Sequence, residues 1–244
     1  MKNDTIFVKP EDFIWDSVQR EIRGKINGIN FLVPTSELCL QSLRWDKTDF
    51  PREIQRVVEN GFDGVVQTSK NGELIVSIRE WQSRALEQIE EGMIYQGSIM
   101  SVAPDAIFVD VNTLSVRVYA TECSRARMNN VQHFFKPGDK VKVKIVKKDK
   151  DFPFHISGSR KEAYPSIAET THNYEVGQYI YVKTCERLNN DGYWVEVTPS
   201  IPGILNGPEE LLDLIHRGER IKVRIIKVDE LGIKCKIAKW RLIG

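Results

Sequence analysis

The chain has 244 residues, of which 41% are hydrophobic and 28% are charged, a composition typical of a soluble globular protein rather than a disordered one. Its 35 lysines and arginines nearly balance its 34 aspartates and glutamates, so any site for a polyanion must be local. No apolar stretch is long enough to cross a bilayer and the first residues lack the apolar core of a signal peptide, which predicts a cytoplasmic protein without a membrane partner.

The four cysteines are widely spaced and form no C-x-x-C pair. This spacing argues against a zinc ribbon and against a dithiol redox site, so free buried thiols are predicted. No metal and no cofactor is expected. The residues concerned are Cys39, Cys123, Cys185 and Cys235.

Residues 1–90 predict a divergent or incomplete barrel followed by a linker helix. Helices are predicted in DFPREIQRVVENG, where Pro51 suits a first turn, and over Glu80–Gly92, where apolar residues recur at helical spacing. The dipeptide Asn71-Gly72 predicts a hairpin turn. The expected strands are TIFVK and VQREIRGKI, without a clear turn between them, then NGINFLVPTSEL, GFDGVVQT and GELIVSI.

Residues 91–165 predict a second unit of five strands. Met93–Asp110 contains two strands of alternating polarity, joined by a turn at Ala103-Pro104-Asp105. Leu114–Glu122 supplies the third strand. A turn at Lys136-Pro137-Gly138-Asp139 precedes a lysine-rich fourth strand, and Phe154–Ser159 is the fifth.

Residues 174–244 repeat this order, and Gly218 follows Gly138 by 80 residues. The strands are QYIYVKTCERL, YWVEVT, a segment around Ile204, IKVRIIKVD and IKCKIA. A short helix is predicted in GPEELLDLIHRG, between the third and fourth strands. A polar linker, Tyr164–Asn173, precedes the unit. Five short strands with a connector between the third and fourth are typical of a small closed barrel. The predicted fold class is all-β, with tandem five-stranded OB-fold barrels and short connecting helices.

Cations alternate with apolar residues along the fourth strand of both units. Since successive residues face opposite sides of a strand, the apolar set points inward and the cations outward. Outward lysines could simply discourage edge pairing, or they could contact the phosphates of a single strand. The inward residues are Val141, Val143, Ile145, Ile221, Val223 and Ile225, and the residues on or near the outer face are Lys140, Lys142, Lys144, Lys222, Arg224 and Lys227.

Aromatic residues favour the second interpretation, because single-strand binders combine a basic track with rings on which bases stack. Phe108 and Tyr119 lie on neighbouring predicted strands, so we expect both rings to be exposed. Of the adjacent Tyr193 and Trp194 only one can face outward. The hypothesis is that cations and a ring converge on one open surface of each barrel.

Four motifs of the middle unit recur in the last one. They are Gly97-Ser98-Ile99 after Gly92, IFVDV, Thr121-Glu122 and PGDKVKVKIVKKD, and the last unit repeats the pattern with GYWVEV, PGILNGPEEL and RGERIKVRIIKVD. In this order and spacing they resemble the S1 RNA-binding domain family, tandem repeats of which form bacterial ribosomal protein S1. The resemblance covers roughly residues 91–240, and Val33–Leu38 extends it weakly. It implies a five-stranded barrel that binds RNA through its second and third strands and the turn before the fifth.

That resemblance also implies the site residues. In that family an F-x-x-F pair on the second strand presents an aromatic surface. Here Phe108 and Trp194 stand at the second position of the pair, and Asp105 and Asp191 stand at the first. Tyr119 and Asn206 stand where the family has a histidine on the third strand. The aspartate after the fourth strand matches Asp149 and Asp229, and Lys234 is the nearest candidate for the arginine that follows. Together with the stripe, the predicted RNA-binding residues are Phe108, Tyr119, Lys140, Lys142, Lys144, Asp149, Trp194, Asn206, Lys222, Arg224, Asp229 and Lys234.

The expected function is non-catalytic binding of single-stranded RNA with low sequence specificity and modest affinity. Scattered histidines and the lack of a phosphate loop or nucleophile motif argue against an enzyme. Single-stranded DNA stays open as a ligand, and residues 1–90, which lack the lysine stripe, are expected to contact a ribosome or protein partner. The alternative is a protein-interaction scaffold whose nucleic-acid face has decayed.

Overall fold

The computed structural model describes residues 5–38, 52–70, 73–149, 155–188 and 192–238. The chain divides into two compact units, Met1–Glu90 with Asp149–His155, and Glu91–Lys148 with Ile156–Gly244. The strands form one six-stranded sheet and two closed five-stranded barrels. The predicted all-β class with OB-type barrels is therefore confirmed.

The first unit contains a half-barrel in which the first strand of the barrel pattern is broken in two. Pro10, which has no N–H to donate, begins a short 3-10 turn between the halves. These halves pair with different neighbours and form the two edges of the sheet, whose order is β1-β5-β6-β4-β3-β2. The strands are β1 Thr5–Val8, β2 Phe13–Asp16, β3 Glu21–Ile26, β4 Ile29–Val33, β5 Phe62–Lys70 and β6 Glu73–Ser77.

Three details of the sequence prediction for this unit are wrong. The strand β2 was not predicted, and the strand expected in VQREIRGKI begins only at Glu21. The helix expected over Glu80–Gly92 is α2, Ile78–Gln88, because the Ser77 side chain accepts the Glu80 N–H at 2.8 Å and so caps an earlier start. Helix α1 spans Arg52–Asn60 as expected. The turn at Asn71-Gly72 lies outside the described residues.

The two barrels of the second unit have the same strand order, and each closes through a parallel pair between its third and fifth strands. Most predicted strands are confirmed, and Phe154 lies outside the described residues. The middle barrel consists of β7 Ile94–Ala103, β8 Ala106–Val111, β9 Leu114–Tyr119, β10 Lys140–Lys148 and β11 Ile156–Ser159. The last barrel consists of β12 Tyr179–Leu188, β13 Gly192–Thr198, β14 Ile201–Asn206, β15 Arg220–Asp229 and β16 Gly232–Ile237.

Three connecting segments differ from the prediction. The third strand stops at Tyr119 because Ala120–Cys123 forms helix α3, and the helix expected in GPEELLDLIHRG is only α5, Glu209–Leu212. The expected polar linker contains helix α4, Ile167–Thr170, which is stabilised by a capping box between Ser166 and Glu169.

The inward and outward alternation of the lysine-rich strands is confirmed, with all six predicted inward residues buried. Tyr193 is buried and donates its hydroxyl to the Ile215 carbonyl at 2.9 Å, which leaves Trp194 as the outward member of that pair. Cys123, Cys185 and Cys235 are free and buried, and burial raises the pKa of Cys123 to about 12. Cys39 lies outside the described residues.

The same β-bulge interrupts the fourth strand of both barrels. The register shifts between Ile145 and Lys147 in β10, and between Ile225 and Lys227 in β15. An extra residue reverses the alternation of facing along the rest of a strand. Lys147 and Lys227 therefore face outward, in register with the fifth strands.

A buried ion pair joins the middle and last barrels. The Arg160 guanidinium, after β11, donates to both carboxylate oxygens of Glu196 on β13 at 2.8 and 3.0 Å. Arg160 is 9% exposed and Glu196 6%. Nearby, Lys183 donates to the Phe134 carbonyl and places its Nζ 4.0 Å from the centroid of the Phe134 ring. These contacts make the two barrels one body.

Candidate nucleic-acid interface

Two rings and a guanidinium group lie together on the outer face of β8 and β9 in the middle barrel. Phe108 pairs with Arg117 across the two strands, and Tyr119 follows Arg117 on the same face. The Cζ atom of Arg117 is 4.4 Å from the centroid of the Tyr119 ring and 5.8 Å from that of Phe108. Both distances are within the range of cation–π attraction. The cation therefore lies against both rings.

These rings differ in exposure. Tyr119 is 43% exposed, as predicted. Phe108 is only half-buried rather than fully exposed, because Arg117 lies beside its ring. Tyr119 thus presents the larger free surface for a flat ligand.

Asp105 holds Arg117 from its other side. The Nη2 atom of Arg117 is 3.0 Å from Oδ2 of Asp105, and the two side chains are 41% and 67% exposed. An ion pair this exposed contributes only about 0–1 kcal/mol, so a phosphate group can compete for the guanidinium. The Nε atom of Arg117 has no hydrogen-bond partner within the described ranges. The aspartate found in place of an aromatic residue therefore orients the cation.

A continuous row of outward residues crosses the middle barrel. Neighbouring strands lie about 5 Å apart, so directly paired side chains on one face are in reach of one another. We name this the ring row: Ser101, Phe108, Arg117, Ser157 and Lys147, in the order of strands β7, β8, β9, β11 and β10.

The lysine stripe does not meet the rings of the middle barrel. Lys140, Lys142 and Lys144 pair with residues of β7, whereas β10 has no pairing with β8 or β9. The expectation that stripe and rings converge on one surface is therefore wrong here, because the closed strand order separates the fourth strand from the second and third. Only Lys147, beyond the bulge, joins the ring row.

The last barrel has an equivalent row with different chemistry. Trp194, half-buried, pairs with Ile204 where the middle barrel has Arg117. Next come Lys234 and Lys227, so the structure brings Trp194 and Lys234 onto one row. The Nζ atom of Lys227 lies 2.9 Å from Oδ2 of Asp229, and this hydrogen bond lowers the pKa of Asp229.

The remaining predicted residues occupy separate places. Asn206 is exposed at the end of β14 and pairs with Lys236, which in turn pairs with Arg224. Lys222 pairs with Tyr181 on β12. Asp149 follows β10, and its N–H donates to the His155 carbonyl at 2.9 Å.

Sequence reasoning missed Arg117 and Lys147. Alternation along LSVRVY already places Arg117 on the face of Tyr119, so that signal was present. Lys147 could not be found by alternation, because without the bulge it would face inward. Tyr179 and Tyr181 on β12 were also missed.

The half-barrel carries no ring in the equivalent row. Arg23 pairs with Leu32, and Leu32 pairs with Ile75. Arg23 is itself paired with Glu21. This row therefore offers little for base stacking.

The described residues include no helix that is long and apolar enough to span a membrane. The same ranges contain no group of three or more His, Cys, Asp or Glu side chains placed to hold a metal ion.

Comparison with known proteins places residues 88–153 within the model of the "S1 RNA binding domain" family. The "Small ribosomal subunit protein bS1" of Staphylococcus epidermidis is 26% identical over 174 residues, which cover 65% of this chain and 43% of that protein. A "4-hydroxy-3-methylbut-2-enyl diphosphate reductase" of Clostridium tetani is 27% identical over 66% of this chain but only 26% of its own length. The chain thus spans less than half of either relative.

Among solved structures, a multidomain protein with nucleic acid binding domains from Streptococcus pneumoniae is 16% identical, with a TM-score of 0.33 over 96% of this chain and 73% of that one. The resemblance to the S1 RNA-binding domain is confirmed by the family match at residues 88–153 and by the similarity to ribosomal protein bS1.

Proposed function

We propose that this chain is a non-catalytic RNA-binding protein that holds single-stranded RNA with low sequence specificity, chiefly through the ring row of the middle barrel. The observation that carries the proposal is the Arg117 guanidinium set between the Phe108 and Tyr119 rings. These residues lie within the segment that matches the S1 family model.

The arrangement suits a flexible strand with unstacked bases. A base stacks on the exposed Tyr119 ring, an interaction that contributes about 1–3 kcal/mol. Its phosphate takes the place of Asp105 at Arg117, and Lys147 extends the positive track along the same row. A ring and a cation accept any base and any phosphate, so specificity is low and single strands are favoured over duplexes.

The last barrel provides a weaker copy of this site. Trp194 offers a stacking surface beside Lys234 and Lys227, but Ile204 supplies no cation at the position of Arg117. In this proposal residues 1–90 dock on a ribosome or another protein partner, in a cytoplasmic role connected with translation.

A protein-interaction scaffold is the second candidate. Asp105 favours the scaffold, because its carboxylate already forms an ion pair with Arg117, the cation nearest the rings. Under this alternative the ring row is a remnant and every barrel docks on protein.

Fluorescence anisotropy of a labelled single-stranded RNA, at low and at moderate salt, tests the proposal. Phe108→Ala and Tyr119→Ala should each weaken binding by about fivefold or more while the melting temperature stays close to wild type. Tyr119→Phe keeps the ring and serves as the matched control. Equal affinity for single-stranded DNA would widen the ligand class.

No binding by the wild type at low salt would reject RNA binding and support the scaffold. Unfolding of Phe108→Ala or Tyr119→Ala at ordinary temperature would place those rings in the core and remove the proposed site.

A further inference from the structure

A second cluster of rings and cations lies on the outer face of β12 and β15. Tyr179 and Tyr181 are 56% and 55% exposed, although both belong to a strand of a closed barrel. Across the strand pair, Tyr179 faces Arg224 and Tyr181 faces Lys222. We name Tyr179, Tyr181, Arg220, Lys222 and Arg224 the tyrosine patch.

The cations of this patch lie against its rings. The Cζ atom of Arg220 is 5.2 Å from the centroid of the Tyr181 ring, and Nζ of Lys222 is 5.6 Å from that of Tyr179. Across the part of the chain that the structure describes, Arg220, Lys222 and Arg224 form no salt bridge with an acidic side chain. Three cations therefore face solvent without a neutralising carboxylate in that part.

Protection of an exposed sheet edge does not account for these cations. Lysines discourage edge pairing only where a strand has an unpaired side. β15 pairs with β12 on one side and with β16 on the other, and β12 pairs with β13 as well as β15. The patch lies on the wall of a closed barrel, where no edge exists.

The middle barrel shows what this face is like without rings. Its stripe residues Lys142 and Lys144 pair with Gln96 and Ile94 on β7, at the positions that Tyr181 and Tyr179 occupy on β12. Charge is common to both copies, whereas the tyrosines are particular to the last barrel. Exposed rings set among unpaired cations are the combination that single-strand binders use.

We propose that the tyrosine patch is a second contact for single-stranded RNA, made by residues of β12 and β15 that do not belong to the Trp194 row. Residues two apart on a strand are separated by about 7 Å, so Tyr179 and Tyr181 each accept a base while the cations contact the phosphates between them. This inference rests on the proposed RNA-binding function and assigns to it a surface made by the first and fourth strands of the last barrel.

The test compares two variant pairs at equivalent strand positions. Tyr179→Ala with Tyr181→Ala should weaken binding of a labelled 24-nucleotide oligouridine about fivefold or more, measured by anisotropy. The control pair, Ile94→Ala with Gln96→Ala, should stay within about twofold of wild type because it removes no ring. Tyr179→Phe with Tyr181→Phe keeps both rings and should also bind like wild type.

Cross-linking of RNA that contains 4-thiouridine, followed by peptide mapping, provides an independent readout. A cross-link to the β12 peptide that disappears in the alanine pair would support the patch.

Three results would overturn the inference. If the alanine pair binds like wild type while Phe108→Ala loses affinity, the patch is not an RNA contact and the proposed function stands. If the phenylalanine pair loses as much affinity as the alanine pair, stacking is not the interaction. If the wild type does not bind RNA at low salt, the proposed function fails first.

Discussion

The middle and last barrels have one strand order and equivalent bulges, yet they distribute rings and cations differently. The middle barrel places Phe108 and Tyr119 around Arg117 on its second and third strands, and its lysine stripe faces no ring. The last barrel puts Ile204 in place of Arg117 but sets Tyr179 and Tyr181 against its stripe. Pairing and core fix the register, so outward residues are free to change between copies.

Breaking the buried Arg160–Glu196 ion pair between the middle and last barrels should have the largest effect on stability. Glu196→Ala leaves the buried Arg160 guanidinium without its carboxylate, which should lower the free energy of unfolding of this unit by about 3–5 kcal/mol. Urea denaturation measures the loss. Glu162→Ala removes the exposed partner of Arg125 and should cost about 0–1 kcal/mol. Similar losses of stability in both variants would show that burial does not set the strength of the Arg160–Glu196 ion pair.

Arg117 and Ile204 occupy equivalent third-strand positions of the middle and last barrels. Substituting each by the other residue tests whether this position sets the difference in RNA affinity between the barrels. Arg117→Ile should lower RNA affinity by about 1–2 kcal/mol, because both the phosphate contact and the ring contact are lost. Ile204→Arg should raise the affinity of the last barrel by a smaller amount, since Trp194 then gains a neighbouring cation. Anisotropy measures both changes. Loss of affinity in Ile204→Arg would contradict the assignment.

The two stripes should differ in the salt dependence of binding. Lys222→Ala with Arg224→Ala should reduce the slope of log affinity against log salt by about 1.4, because each phosphate contact on a single strand contributes about 0.7. Lys142→Ala with Lys144→Ala should also weaken binding at low salt, but with a smaller change in slope, since no ring holds a strand there. Equal changes in slope would mean that the cations act without the tyrosines.

The smallest expected effect concerns acid stability at helix α3. Burial alone would raise the pKa of Glu122, but hydrogen bonds from Lys161 and Ser159 outweigh it and the pKa is lowered. A lowered carboxylate pKa stabilises the fold above the unfolded pKa and loses this contribution as pH falls through the folded value.

Glu122→Gln should therefore destabilise the protein slightly at pH 7, by about 0.5 kcal/mol, and by less at pH 3. Urea denaturation at both pH values measures the difference. An equal effect at pH 3 would assign the loss to packing instead of charge.

The sequence predicted the barrels because their strands are short, alternate strictly and are separated by strong turn residues. The alternation of Val141, Val143 and Ile145 predicts an inward face even when the partner strands are not known. The broken first strand of the half-barrel could not be found in this way, because Pro10 divides it into two pieces of four residues each.

The site was harder to predict than the fold. Which rings meet which cations depends on pairing between distant strands, and the closed order places Lys142 beside Gln96 instead of Phe108. A bulge adds one residue and reverses the facing of Lys147. Neither event leaves a local signal. Arg117, in contrast, was accessible to alternation once Tyr119 had been assigned to the outer face.

Under the proposed function, the buried Arg160–Glu196 ion pair has a consequence for the binding of long and short RNAs. A strand held by one barrel meets the surfaces of the next as an intramolecular partner, at an effective concentration set by the fixed spacing. Contacts that are individually weak then bind the same strand together, with avidity. Under the proposed function, a long transcript would be retained while short fragments dissociate, so RNAs would be distinguished by length.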